Sequence, residues 1–325
     1  MKKSYIILVV ILGILGFIFM REQAPYLEQD LTVLNEDNDG KIVSYEEINV
    51  LSWHKRLNKH KDINKYEETK EKINNTYVYK VTYLSGGEKA KAFIMKPKKE
   101  GNYPVLFFNR SAQIKDRRDK RAAYWFTAFF SENYIIVAPK YQGNYRGSQL
   151  EDFSAADSKQ FLDLVKLTKS LPYTNENKMA AIGIEKGGQM IYQAIKNDVG
   201  LNAAVVFNTP TNLIKLYNDS ISARKKVFED KLGGIPSEAK EKYIAKSPYY
   251  WPEKIDIPLL ILHYEDAKNI DPIQSSKLVD KFNEIGYENY KAVINSDMDW
   301  EFVITRSIEW IREKTDIPLE MVGEK

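Results

Sequence analysis

The chain has 325 residues, 43% of them hydrophobic and 29% charged, with 48 Lys and Arg set against 45 Asp and Glu. That length allows a sizeable core, and a net charge of +3 spread along the sequence supplies no basic block of the kind that binds nucleic acid. The absence of cysteine excludes disulfides, thiol nucleophiles, thioether haem attachment, lipid modification on cysteine and cysteine-based zinc sites.

Met1-Lys2-Lys3 is followed by an uninterrupted apolar run from Tyr5 to Met20. As a helix rising 1.5 Å per residue it would cover roughly 24 Å, enough for a thin hydrocarbon core. No small-x-small cleavage site follows, since Phe17 to Gln23 reads FIFMREQ, so residues 1–21 are read as an anchor in preference to a cleaved signal peptide. With Lys2 and Lys3 kept inside, the expectation is a single-pass cell-membrane protein with everything from Arg21 onward extracytoplasmic.

Residues 22–75 are polar, rich in Lys, Glu and Asn, and read as a helical or partly disordered stalk. Within it, residues 35–46 resemble an EF-hand or dockerin-type calcium loop. Asn35, Asp37, Asp39, the carbonyl of Lys41 and Glu46 would be the ligands, Gly40 would make the sharp turn, and Leu27, Leu31 and Leu34 would lie on an entering helix. The loop departs from that pattern in having Asn35 first and Val43 at a usually polar position; reading Val43 as an insertion moves the acidic ligand to Glu47. No second loop accompanies it. The alternative is an Asn/Asp/Gly turn between two helices.

From Thr76 the pattern changes to strands, opening with a hairpin at Gly86-Gly87. Short apolar runs at 103–109, 134–139, 179–184, 202–207, 258–263 and 290–295 alternate with helical periodicity near 118–132, 154–171, 187–198, 272–285 and 300–314. This alternation predicts an α/β fold over 76–325: a mostly parallel central sheet with helices on both faces and antiparallel strands at one edge. Residues 210–256, helical and Tyr-rich, would form a small cap.

The stretch YPVLFFNRS from Tyr103, and the longer one from Tyr134 through SLPY (Ser170 to Tyr173) to Gly183-Ile184-Glu185-Lys186-Gly187-Gly188, resemble the prolyl-oligopeptidase (S9-type) hydrolases of the α/β-hydrolase superfamily from about Tyr77 to the end. The resemblance implies a serine peptidase or esterase with a Ser-Asp-His triad, and none of the three residues is where the family has it. Glu185 replaces the serine of the Gly-x-Ser-x-Gly elbow. Ala267 stands at the acid's place in His263-Tyr264-Glu265-Asp266-Ala267, with Asp266 one residue early. Asp299 stands at the histidine's place in Ser296-Asp297-Met298-Asp299-Trp300. The three histidines are His54, His60 and His263; the first two fall in the stalk, and the third closes a buried strand, where a structural role is expected. On the oxyanion side, Asn109-Arg110-Ser111-Ala112 lacks the family's glycines. The Tyr-Arg-Gly segment of the family aligns with Tyr141-Gln142-Gly143 or with Tyr145-Arg146-Gly147.

Three functions follow as expectations. The first is a pseudoenzyme that works by binding an envelope protein or a peptide, with Glu185 and Arg110 forming an ion pair across the former pocket. The second is a serine-type peptidase or esterase of the same family with an unorthodox nucleophile such as Ser111 or Ser296. The third is a carboxylate cluster of Glu185, Asp266 and Asp299 that takes a hard cation. Beyond calcium at residues 35–46, no cofactor is implied.

Overall fold

The computed structural model of the chain describes residues 39–50, 70–110, 131–140 and 155–319. Nine strands form one sheet: β1 (Ile42–Glu47), β2 (Thr76–Ser85), β3 (Glu88–Pro97), β4 (Tyr103–Asn109), β5 (Ile135–Lys140), β6 (Thr174–Ile184), β7 (Ala203–Phe207), β8 (Leu259–Tyr264) and β9 (Tyr290–Asn295), in the spatial order β1-β2-β3-β5-β4-β6-β7-β8-β9. The strands from β4 onward pair in parallel, and β1, β2 and β3 add an antiparallel edge. Parallel neighbours need long crossovers, which α1 (Ala155–Lys169), α2 (Lys186–Lys196), α6 (Ile273–Ile285) and the cap helices supply. Helix α7 (Trp300–Lys314) follows β9.

The central strands are apolar on both faces because both are covered. Val105 and Phe107 of β4 pack with Phe161 and Leu164 of α1, Met190 and Ile191 of α2, and Leu278 and Phe282 of α6. Leu106 and Phe108, pointing the other way, pack with Val303, Ile308 and Ile311 of α7. Burying a side chain of this size stabilises the fold by about 1.5–3 kcal/mol. Residues 210–256 fold as α3 (Leu213–Asp219), α4 (Ser222–Leu232) and α5 (Lys240–Ala245), followed by two 3-10 turns. A core of their own, Leu213, Leu216, Phe228, Leu232 and Tyr243, holds them together.

The polar segment 22–75 departs from the helical stalk that its composition predicts. A helical stretch is present at 70–74, but Ile42–Glu47 is a strand that extends the sheet beyond β2. Glu46 lies opposite Lys80 in the register and their side chains meet at 2.5 Å, while Tyr45 packs edge-on against Tyr79. Upstream, Asp39 accepts from the Gly86 amide at 2.8 Å and from Lys159 Nζ of α1 at 2.7 Å, which clasps the start of β1 to the hairpin turn and to a helix. The apolar run from Tyr5 to Met20 lies outside the described residues, as does the helix expected near 118–132 up to residue 130. Among the described residues no helix is long and apolar enough to cross a membrane.

Candidate active site at the carboxyl end of the sheet

The parallel register brings the carboxyl ends of five strands together: Asn109 lies beside Gly183, Ile184 beside Phe207, Phe207 beside Leu262 and Tyr264 beside Asn295. Loops leaving such ends are where open α/β sheets carry their ligands. One residue, Glu185, turns the chain from β6 into α2. It does so at φ 51 and ψ −113, a region that side-chain-bearing residues occupy at a cost of about 1–3 kcal/mol. Its amide donates to Phe207 O at 2.7 Å and its carbonyl accepts from Gln189 N at 3.2 Å. Glycines make the turn possible by letting backbones touch. A Cβ at Gly187 would stand 2.0 Å from the carbonyl oxygen of Asn109, and one at Gly188 would stand 2.0 Å from Thr209 Oγ1. The strand-turn-helix elbow is therefore intact, with a half-buried Glu185 at its tip.

Beneath the elbow, Lys186 points into the protein and forms an ion pair with Asp157 in the first turn of α1. Both residues are at most 4% exposed, so removing either partner would strand a charge in the interior. A long-range contact of this kind leaves no mark on local sequence pattern.

The other two positions at which the resemblance sets a triad residue, Asp299 and Ala267, have local main-chain partners. Asp299 caps α7, accepting from the Phe302 amide at 2.7 Å. Ala267 lies in the turn after β8, where its amide donates to Tyr264 O at 3.3 Å, and Asp266 beside it is exposed. His263 is fully buried, with Nδ1 2.7 Å from Ser275 Oγ and Nε2 2.8 Å from the Ile270 carbonyl. A carbonyl only accepts, so the proton sits on Nε2 and Nδ1 accepts from the serine hydroxyl. Burial lowers its pKa below the usual histidine value. Both nitrogens are thus committed, and the ring is a structural part of the β8–α6 junction.

An aromatic wall that single residues do not announce lines the same end of the sheet. The rings of Phe207 and Tyr264 meet edge-on at 4.9 Å, and Trp300 lies 6.3 Å from Phe207. Burial, then the charges of Asp299 and Asp266, raise the Tyr264 hydroxyl pKa. The carbonyl of Arg110 would be 2.8 Å from a Cβ on Gly187, so its main chain abuts the start of α2. Ser111 and the segment from Tyr141 to Gly147 lie outside the described residues; Ser296 is exposed after β9.

The calcium ligands expected of residues 35–46 have other partners where they are described. Asp39 is bonded to Lys159 and to the Gly86 amide, which together hold its carboxyl below its ordinary pKa. The Lys41 carbonyl accepts from Leu84 N at 2.9 Å, and Glu46 is paired with Lys80. The exit helix of an EF-hand is replaced by β1, and among the described residues no group of three or more potential ligands is assembled for a metal. Asn35 and Asp37 lie outside the described residues.

Comparison with known proteins agrees with this topology. An uncharacterized peptidase of Bacillus subtilis (strain 168), YtmA, is 25% identical over 209 residues, covering 64% of this chain and 80% of that one. Two solved structures share the fold. Pyrococcus horikoshii acylaminoacyl peptidase superposes with a TM-score of 0.61 at 18% identity, over 82% of this chain and 45% of its own. Prolyl oligopeptidase B from Galerina marginata gives 0.56 at 17%, over 77% and 38%. The chain spans less than half the length of either. The profile of the prolyl oligopeptidase family matches residues 121–315, a stretch that runs through the elbow, the cap and the loops after β8 and β9. With the elbow preserved in backbone and that match covering more than half of its length, the chain belongs to the prolyl oligopeptidase family.

Proposed function

We propose that the protein is a membrane-anchored, extracytoplasmic member of the family that is catalytically silent and acts by binding a protein or peptide partner. One observation carries this reading: the elbow keeps its strained backbone but presents the Glu185 carboxylate, and the one histidine among the described residues, His263, has both ring nitrogens engaged. A serine relay needs an imidazole within about 3 Å of the hydroxyl. Tyr264 and Trp300, both partly exposed over the buried Phe207 beside the elbow, offer a surface for side chains of a bound peptide.

Family membership supports a second reading, a serine-type peptidase or esterase with a nucleophile elsewhere, such as Ser111 or Ser296. One experiment separates the two. The full chain is extracted from membranes with detergent, having resisted salt and alkaline washing, and is exposed to a fluorophosphonate probe and to ester and aminoacyl substrates. No label and no turnover are expected; labelling mapped to one serine would overturn the silent reading, and release from membranes by salt alone would overturn the anchor.

A further inference from the structure

The sheet ends on β1 at one side and on β9 at the other, and the two edges are built differently. β1 slips in register between Ile42 and Ser44 and carries Glu46 and Glu47. A broken register and charged side chains are how an exposed edge is kept from pairing with other chains. β9 (YKAVIN) has neither device in strength: its register with β8 is unbroken from Tyr290 to Asn295, it holds no proline, and its single charge is Lys291.

Asn289 O accepts from Leu259 N and Asn295 O accepts from Glu265 N, so the odd-numbered residues of β9 turn their main-chain groups toward β8. Tyr290, Ala292 and Ile294 therefore turn theirs away from the sheet, and among the described residues no strand lies beyond them. Their side chains share one face. Tyr290 and Ala292 pack there against the core under α6, with the Tyr290 ring 5.0 Å from Phe282 and its hydroxyl donating to Asn283 Oδ1 at 2.8 Å. A groove of about 440 Å³ opens on that face, walled on its apolar side by Val279, Tyr287, Tyr290 and Ala292, with the rings of Tyr287 and Tyr290 stacked 6.0 Å apart. Ile294 is half-buried and joins neither of the two core clusters that flank the sheet. One strand thus carries an apolar knob and, beside it, an apolar hole.

We propose that β9 pairs antiparallel with β9 of a second copy of this chain, about a two-fold axis at Ala292, so that one sheet runs through a dimer. In that register Ala292 faces its twin, Tyr290 faces Ile294 of the second copy and Lys291 faces Val293 of the second copy, and the outward residues exchange about six main-chain hydrogen bonds. Ile294 of each copy lies beside Tyr290 of the other on the same face and enters its groove, an aromatic pair with a β-branched residue across the strands. No like charges oppose one another, whereas an axis at Lys291 would set two ammonium groups face to face. A second copy brings knob and hole together twice, and an isologous contact of this kind closes at two chains. The pairing is independent of the chemistry at the elbow.

The test uses the detergent-solubilised full chain and its lack of cysteine. Light scattering, corrected for bound detergent, is expected to give a dimer at about 50 μM, where a Kd of about 10 μM or tighter leaves most chains paired. The two Ala292 Cα atoms would stand about 5.5 Å apart, inside the span of roughly 4.4–6.8 Å that a disulfide bridges. Ala292→Cys is therefore expected to run as a disulfide-linked dimer on a non-reducing gel after oxidation with copper phenanthroline. Asn295→Cys, exposed on the same strand but roughly 20 Å from its twin, is expected to run as a monomer. Ala292→Pro removes an amide that faces away from β8, a change an edge strand tolerates, and is expected to keep the thermal unfolding of the wild type at equal concentration of monomer while losing the dimer. Should that variant fail to fold, the two cysteine variants decide. The proposal is overturned if the wild type is monomeric at about 50 μM, if Ala292→Cys does not crosslink, if Asn295→Cys crosslinks as readily, or if folded Ala292→Pro remains dimeric.

Discussion

Replacing Glu185 isolates the backbone strain of the elbow. At φ 51 and ψ −113 any residue with a Cβ is strained by about 1–3 kcal/mol, and glycine is not. Glycine also costs about 0.5–1 kcal/mol more than alanine through the freedom it has in the unfolded chain. Glu185→Ala and Glu185→Gly both remove the glutamate side chain and whatever it contacts, so the difference between them reports the backbone alone. Subtracting the two quantities, the glycine variant should be at least as stable as the alanine variant, by up to about 2.5 kcal/mol. In thermal unfolding that corresponds to up to roughly 10 °C in Tm; in guanidinium it appears as a higher midpoint at unchanged slope. The usual order, alanine above glycine by about 1 kcal/mol, would refute the claim that the elbow is strained at Glu185.

Two further outcomes test the surroundings of the site. Gly188→Ala drives a Cβ to 2.0 Å from Thr209 Oγ1 and should destabilise by about 1–3 kcal/mol; adding Thr209→Ala should recover part of the loss. Gly187→Ala meets a main-chain carbonyl, Asn109 O, and no side-chain change should rescue it. Equal rescue of both in denaturant titrations would contradict the described packing. His263 has a folded pKa below its ordinary value of about 6.5 because it is buried. The unfolded chain therefore binds the proton first as pH falls, and the stability contributed by neutral His263 is fully present above about 6.5 and lost as pH drops toward the folded pKa. In His263→Gln the unfolding free energy should decline less steeply between about pH 7 and pH 5; identical slopes in the two proteins would refute a buried neutral imidazole.

The parallel half of the sheet was legible because its strands are short apolar runs separated by amphipathic helices, and Val105 to Phe108 or Leu259 to Leu262 cannot be half-exposed strands. The elbow was legible from Gly183, Gly187 and Gly188, since close backbone approach requires glycine whatever residue sits between. Strand β1 was not. Its register slips between Ile42 and Ser44, which breaks the two-residue alternation, and as an edge strand it buries little. The same Asp, Gly and Glu that resemble a calcium loop serve there as a turn and a cross-strand pair. Within the site, the residues that the resemblance sets at the triad positions, Glu185, Ala267 and Asp299, come from the sequence alone, and their surroundings do not. The Lys186 to Asp157 pair and the contact of Phe207 with Trp300 join residues far apart in sequence and follow only from the fold.

The clasp at Asp39 has a mechanical side. Between Met20 and Asp39 the chain can extend at most roughly 65 Å, so any attachment made by the apolar run keeps the sheet on a tether no longer than that. Among the described residues, a pull from the N-terminal side would first meet the Asp39 contacts with Lys159 and Gly86, and then the β1–β2 ladder that begins with Gly40 N to Leu84 O. Load applied along β1 shears several parallel-acting hydrogen bonds at once instead of peeling them singly. Under such an attachment, the strand that composition disguised as stalk would be the grip by which the domain withstands traction.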